Sequence, residues 1–252
     1  MRSFSARQTR TVSLALLAAA GLACASPSGS ASVATGAPPP VVAAADARTA
    51  AATTANADTT RLGTAAEADS LLADVRTLDP TIVVEARYAT ADNFTGAPLP
   101  GYEANRALLR REAADALARV QRRLAEQGLG LKVFDAYRPV RATLAMVEWT
   151  RRVGREDLVR DGYIASRSRH NLGVAVDLTL VSLETGRELD MGTPFDTFSA
   201  ASHTANATGD AAANRRRLVE AMEAEGFVNY DQEWWHFSYP ISDPLRFDIV
   251  VR

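Results

Sequence analysis

The chain has 252 residues, with 28 Lys and Arg against 30 Asp and Glu and a formal net charge of −2. Charges of both signs are interspersed, which excludes the basic surface a nucleic-acid binder needs; Arg215-Arg216-Arg217 reads as a solvated helix start. A single cysteine, Cys24, excludes an internal disulfide, and its lipidation or removal would leave no thiol for a metal site or a nucleophile.

The N-terminal elements come first in chain order. Arg2, Arg7 and Arg10 precede an apolar run over residues 12–22, which has signal-peptide length and is too short to span a bilayer comfortably. Gly21-Leu22-Ala23-Cys24 looks like a lipobox, with Gly21 in place of the usual large aliphatic residue. The expectation is a signal peptide of lipoprotein type over 1–24, with Cys24 lipidated. The alternative is an ordinary secretory signal cleaved near Ala23 or Ala25. Either places the mature protein outside the cytoplasm, in the periplasm or cell envelope, and any membrane contact is through that lipid anchor. Residues 25–69 are Ala, Ser, Thr, Pro and Gly with almost no large apolar side chain. Such a stretch cannot offset its ordering entropy and reads as a disordered tether. Residues 70–252 have the length of one catalytic domain.

Within that domain, the β-branched run over 81–88 after Pro80 predicts a strand, and 93–101 predicts a loop. Asn105 is placed to cap a helix carrying Leu108, Leu109, Ala113, Leu117, Val120 and Leu124, closed by Gly128. A short strand follows over 129–135. Pro139 opens a helix over 140–152 that Gly154 stops. Strands are expected over 174–180 and 234–239, with a helix over 214–225 between them, ended by Gly226. This mixed order predicts an α+β fold, a small and mostly antiparallel sheet with packed helices.

Two segments carry the chemistry: Ser168-Arg169-His170-Asn171-Leu172-Gly173-Val174-Ala175-Val176-Asp177 and Glu233-Trp234-Trp235-His236. They contain two of the three histidines. His170, Asp177 and His236 would supply three ligands and leave a fourth position open, the arrangement of a catalytic zinc. Two imidazoles favour zinc over calcium or magnesium, which prefer oxygen. Against this, a lone His before an apolar strand is commonly a core or surface residue. An Asp inside such a strand is harder to account for, because it is costly to bury unpaired.

Glu233 is placed to act as general base and then as acid for a leaving amine. Glu233 and His236 cannot share a face of an ideal strand, so the segment bends or bulges, or Glu233 lies in the preceding turn. Arg138, held extended by Pro139, either steadies an oxyanion or pairs with Asp135 or with a neighbouring helix.

Ser168-x-His170-x-x-Gly173-x-Ala175-x-Asp177 with Glu233-x-x-His236 resembles the zinc D,D-peptidases, peptidase family M15. That family includes the vancomycin-resistance dipeptidases and D,D-carboxypeptidases, with the Hedgehog domain as a relative. The segments 88–96, Asp135-Ala136-Tyr137-Arg138-Pro139, 177–180, 191–196 and 214–218 look like the dipeptidase branch, in order, over the whole domain from about residue 83. The resemblance implies the Hedgehog/D,D-peptidase-like fold and hydrolysis of D-alanyl-D-alanine to two D-alanine. It implies one zinc on His170, Asp177 and His236, with Glu233 as acid/base and Arg138 stabilising the transition state. It also implies Asp196 and Tyr88 near the substrate ammonium, and Ser168 and Tyr102 near its carboxylate.

Two departures qualify the resemblance. Ala91 stands where the dipeptidases carry an aromatic ring, which implies a wider pocket wall. The export signal implies a role in cell-wall peptide turnover. His203 reads as a loop or loop-ordering residue. The competing readings are a D,D- or L,D-carboxypeptidase acting on peptidoglycan stems, and a non-catalytic, zinc-stabilised module that binds wall peptides.

Overall fold

The computed structural model describes residues 61–242 and 245–252. The signal segment, Cys24 and the tether up to residue 60 lie outside the described residues. The ordered domain begins earlier than residue 70. Strand β1 (Leu62–Gly63) is followed by helix α1 (Ala65–Leu71). Thr64 and Glu67 form a reciprocal capping box that starts this helix. Strand β2 (Leu72–Asp74) and the short helix α2 (Val75–Leu78) come next.

The run expected as a strand over 81–88 is one only at β3 (Val83–Val84), after which the chain winds into a 3₁₀ turn, Arg87–Ala89. Asn105 explains the interruption: its amide donates to Val84 O and accepts from Ala86 N–H, taking over the bonds a ladder would make. Asn105 therefore does not cap the following helix. Leu108 and Leu109 instead lie in strand β4 (Leu108–Arg110), paired with β2, and helix α3 starts after it (Arg111–Ala125).

Strand β5 (Leu129–Asp135) and helix α4 (Val140–Val153) match expectation, with Gly154 closing α4 at φ 70°. The remainder comprises α5 (Asp157–Arg160), β6 (Ala175–Ser182), α6 (Gly209–Glu223), β7 (Val228–Tyr230), β8 (Glu233–Ser238) and β9 (Arg246–Phe247). Helix α6 begins at Gly209, ahead of the expected residue 214, because Asp210 and three alanines extend its first turns.

The main sheet has the order β3-β5-β6-β8-β7. Only β3 and β5 run parallel, so the sheet is mostly antiparallel, as expected. Helix α3 buries Ala113, Leu117, Val120 and Leu124 in a core shared with Leu131, Val133, Val176, Leu178, Leu180 and Phe237. A second apolar cluster gathers Ala142 and Met146 of α4 with Tyr88, Tyr102, Tyr137 and Phe247. Among the described residues no helix is long and apolar enough to cross a membrane.

Candidate active site

Sheet register builds the centre of the site. Asp135 of β5 pairs with Asp177 of β6, and Asp177 pairs with His236 of β8. Three chemically active side chains therefore stand in one row across three neighbouring strands. His170 joins them from a 3₁₀ turn, Arg169–Leu172, which Ser168 and Asn171 cap reciprocally. Gly173 ends that turn at φ 69°, where a Cβ would come within 2.5 Å of Leu72 Cδ2. Glycine is thus needed there twice, for backbone conformation and for space.

The His170 Nδ1–H donates to Ala136 O at 2.6 Å, which turns Nε2 inward as an acceptor. Nε2 lies 3.3 Å from Asp177 Oδ2 and 3.2 Å from His236 Nδ1. His236 Nδ1 in turn lies 2.9 Å from Asp177 Oδ1. One ligand atom from each residue falls within 4.8 Å of the others. Burial, only partly opposed by the Asp177 charge, pulls His236 below its ordinary pKa and keeps it neutral. Burial acts to raise the Asp177 pKa, but His170 and His236 outweigh it and hold the carboxyl below its usual range. Two imidazoles and one carboxylate on a buried floor suit a zinc-like cation. Of the pattern's alternatives, the satisfied core histidine fits least, because both rings turn a nitrogen toward the same carboxylate.

Glu233 reaches this floor through a bulge. Asn229 of β7 pairs with Phe237, yet the next residue, Tyr230, pairs with Glu233 rather than with His236. The extra β8 residues are bridged by the Asn229 amide, which donates to Glu233 O at 3.2 Å and His236 O at 3.0 Å. The bulge brings Glu233 Oε2 to 4.0 Å from His236 Nδ1. Burial, then repulsion from Asp177 and Asp196, pushes the Glu233 carboxyl well above its ordinary value, with Arg138 opposing.

Arg138 makes the Asp135 pair that one sequence reading gives. Its guanidinium is buried and paired to Asp135 Oδ2 at 2.8 to 2.9 Å, and it also lies 3.6 Å from Asp177 Oδ2. Asp135 receives the Tyr102 hydroxyl and lies 3.4 Å from His170 Nδ1 as well. Sequence reasoning treated Asp135 only as a partner for Arg138. Its buried position beside the Asp177 row makes it a part of the site.

A cavity of 230 Å³ opens above this floor. That is below the roughly 300–1,000 Å³ of pockets for drug-sized ligands, and suits a small molecule. Ser168, Tyr88 and Asp196 line it, as the sequence reading requires. Ser168 Oγ also accepts from His170 N–H at 3.2 Å, so it shapes the turn that carries His170. The Tyr88 hydroxyl donates to Asp196, 3.1 Å from each carboxylate oxygen. Asp196 stands at φ 59°, the one left-handed non-glycine residue described. Burial, then the Asp177 charge, raises its carboxyl well above the ordinary value.

Tyr102 does not line the cavity. Its hydroxyl donates to Asp135, the same carboxylate that holds Arg138. Ala91 is exposed and does not line the cavity, whereas Phe94, Phe198 and Tyr163 supply an aromatic wall the sequence reading did not identify. Phe94 and Phe198 pack edge to face at 5.0 Å, an approach between distant loops that no local pattern encodes. His203 Nε2 lies 3.1 Å from the Tyr163 hydroxyl, consistent with a loop-ordering residue. Arg215 is a further correction. It is 1% exposed rather than solvated, while Arg216 and Arg217 are exposed.

Comparison with known proteins places the chain in a family. Residues 68–245 match the peptidase M15 family, described as D-ala-D-ala dipeptidase. The chain is 41% identical over 189 residues to a D-alanyl-D-alanine dipeptidase of Enterococcus faecium, covering 67% of this chain and 92% of that protein. It is 37% identical over 181 residues to one from Escherichia coli, covering 70% and 90%. Among solved structures it is similar to a vancomycin-resistance D,D-dipeptidase bound to a D-Ala-D-Ala phosphinate analogue. That likeness has 18% identity and a TM-score of 0.35, over 67% of this chain and 66% of the other. By the extent of the family match and the identity to full-length relatives, this chain belongs to the peptidase M15 family of D-Ala-D-Ala dipeptidases.

Proposed function

We propose that the protein hydrolyses D-alanyl-D-alanine to two D-alanine, with one zinc held by His170, Asp177 and His236. The observation that carries this reading is a single small cavity joining that ligand set, Glu233, Arg138 and Asp196. When bound, zinc supplies Lewis acidity toward a carbonyl oxygen and lowers the pKa of water. The chain's residues do the rest. Glu233, poised by its raised pKa, takes a proton from the attacking water and returns it to the leaving amine. Arg138, fixed by Asp135, offers N–H donors to the oxygen that gains charge. Asp196 and Tyr88 receive the substrate ammonium, whose positive charge returns the Asp196 carboxyl to its ionised form. A free ammonium requirement separates a dipeptidase from a carboxypeptidase acting on longer stems.

The test is D-alanine release by the metal-loaded domain from free D-Ala-D-Ala and from its N-acetyl form, beside Glu233→Ala. Release from the free dipeptide only, abolished in the variant, is the expected result. Equal release from the acetylated form moves the protein to the carboxypeptidases; release from neither leaves the binding module.

Export through a lipidated Cys24 is part of the same proposal, and motivates a role in wall peptide turnover. The expected finding is native protein in the membrane fraction and Cys24→Ala released from it. Native protein retained in the cytoplasm would exclude the export reading.

A further inference from the structure

We infer that Arg215 of α6 is a positioning residue for ammonium recognition: it ties the two ends of the loop that carries Asp196 and so sets where that carboxylate stands. This rests on the dipeptidase reading above and deepens it.

In the chain Asp196 lies between Met191 and residues 201–203, in a turn outside any strand or helix. Its backbone is left-handed, a conformation that persists in a non-glycine residue only where surroundings impose it. The imposing group is a buried guanidinium. Arg215 Nε donates to Met191 O at 2.8 Å on the incoming side of the loop. Its two terminal nitrogens donate to His203 O at 2.7 Å and Ala201 O at 3.1 Å on the outgoing side. Three carbonyls from two chain segments are thus gathered by one planar fork, a geometry an ammonium cannot reproduce. Asn214, one residue earlier on α6, donates to Asp190 O at 2.9 Å. Below the loop, the Trp234 indole N–H donates to Thr193 Oγ1 at 2.8 Å, and the Arg215 guanidinium lies 5.9 Å from the centre of the Trp234 ring. Within the loop, the Ser202 hydroxyl donates to Thr197 O, next to Asp196 itself. Helix α6 therefore reaches the ammonium site without touching substrate.

The experiment is a kinetic double-mutant cycle on metal-loaded full-length protein, with D-Ala-D-Ala as substrate. Arg215→Lys is expected to raise KM roughly ten- to a hundredfold with a much smaller change in kcat, as a displaced binding group would. In an Asp196→Asn background the same change is expected to have little further effect on KM, because the group it positions is already disabled. If Arg215→Lys does not fold, Asn214→Ala serves as the weaker form, with a KM rise of a few-fold that vanishes beside Asp196→Asn. Overturning results are a KM unchanged by the loop-holding substitution, or an equal KM rise with and without Asp196→Asn. The failure of the underlying reading looks different: no hydrolysis by wild type, or Asp196→Asn acting like wild type.

Discussion

Asp135 and Glu233 are buried carboxylates of the site, and their proposed roles are separable by experiment. Glu233 is buried beside His236, and burial with repulsion from Asp177 and Asp196 pushes its carboxyl well above its ordinary value. Glu233→Ala should lower kcat about 10²- to 10⁴-fold, the usual range for a general acid–base group, while metal content stays the same. A kcat within a few-fold of wild type would remove Glu233 from the mechanism. Asp135 touches three partners, Arg138, Tyr102 and His170, and leaves none of them to solvent. Asp135→Asn should lower kcat about 10- to 100-fold, the cost of losing a partner that orients ligands. Steady-state kinetics beside circular dichroism would check this, with intact far-ultraviolet signal and reduced kcat expected. His170, Asp177, Glu233 and His236 stand out in sequence because they fall in two short segments and their types are chemically distinct, whereas Ser168 enters only through the family resemblance. The Tyr102–Asp135 hydrogen bond is not legible in sequence, because the two residues meet across a loop whose course no spacing reveals.

Elements bring these residues to one place through their irregularities. The bulge between β7 and β8 turns Glu233 to the His236 side, and the sequence reading could only state that some such break was needed. The 3₁₀ turn before β6 sets His170, and Gly173 closes it. Gly173→Ala should destabilise the domain by roughly 1–3 kcal/mol, since the left-handed backbone and the close Leu72 side chain both oppose a methyl group. Urea unfolding measures the change, and metal affinity should fall with it because His170 moves. Unchanged stability would show the turn is more plastic than its contacts imply. Long periodic elements such as α3 and α4 were readable from apolar spacing and glycine stops. The strand over 81–88 was not, because one side chain, Asn105, displaced its ladder from a distance. The capping box at Thr64 and Glu67 was a readable signal for α1 that the alanine-rich composition obscured.

At the scale of the whole molecule, the site joins chain segments that only the fold brings near, with the two histidines 66 residues apart. A cation bound by the folded arrangement and not by the unfolded chain stabilises by mass action, about 2.7 kcal/mol at a hundredfold excess over Kd. Chelation should therefore lower Tm and added zinc should restore it, with His236→Ala abolishing the difference. A Tm indifferent to chelator and zinc would argue against the metal reading independently of activity. Stability should also depend on Asp74. Burial works to raise its pKa, but Arg106 and the Arg76 N–H prevail and hold the carboxyl below its usual range. A depressed folded-state pKa means this contribution is present above the unfolded value, about 4, and is lost as pH falls through the folded value. The stability gap between wild type and Asp74→Asn should accordingly be full near neutrality and close in acid, as denaturant titrations across pH would show.

The amino-acid sequence by itself determined the chemical kinds at the site, the mixed fold class and the long helices. These follow from local spacing, residue type and hydrophobic period, all of which act within a few residues. Only the tertiary structure decided that Asp135, Asp177 and His236 share one row. It also decided that Glu233 enters by a bulge, that Tyr102 bonds Asp135, and that Arg215 is buried under the Asp196 loop. Each of those depends on strand register or on a contact between distant segments. Register is set by the packing of entire strands against a common core, which no short window of sequence contains.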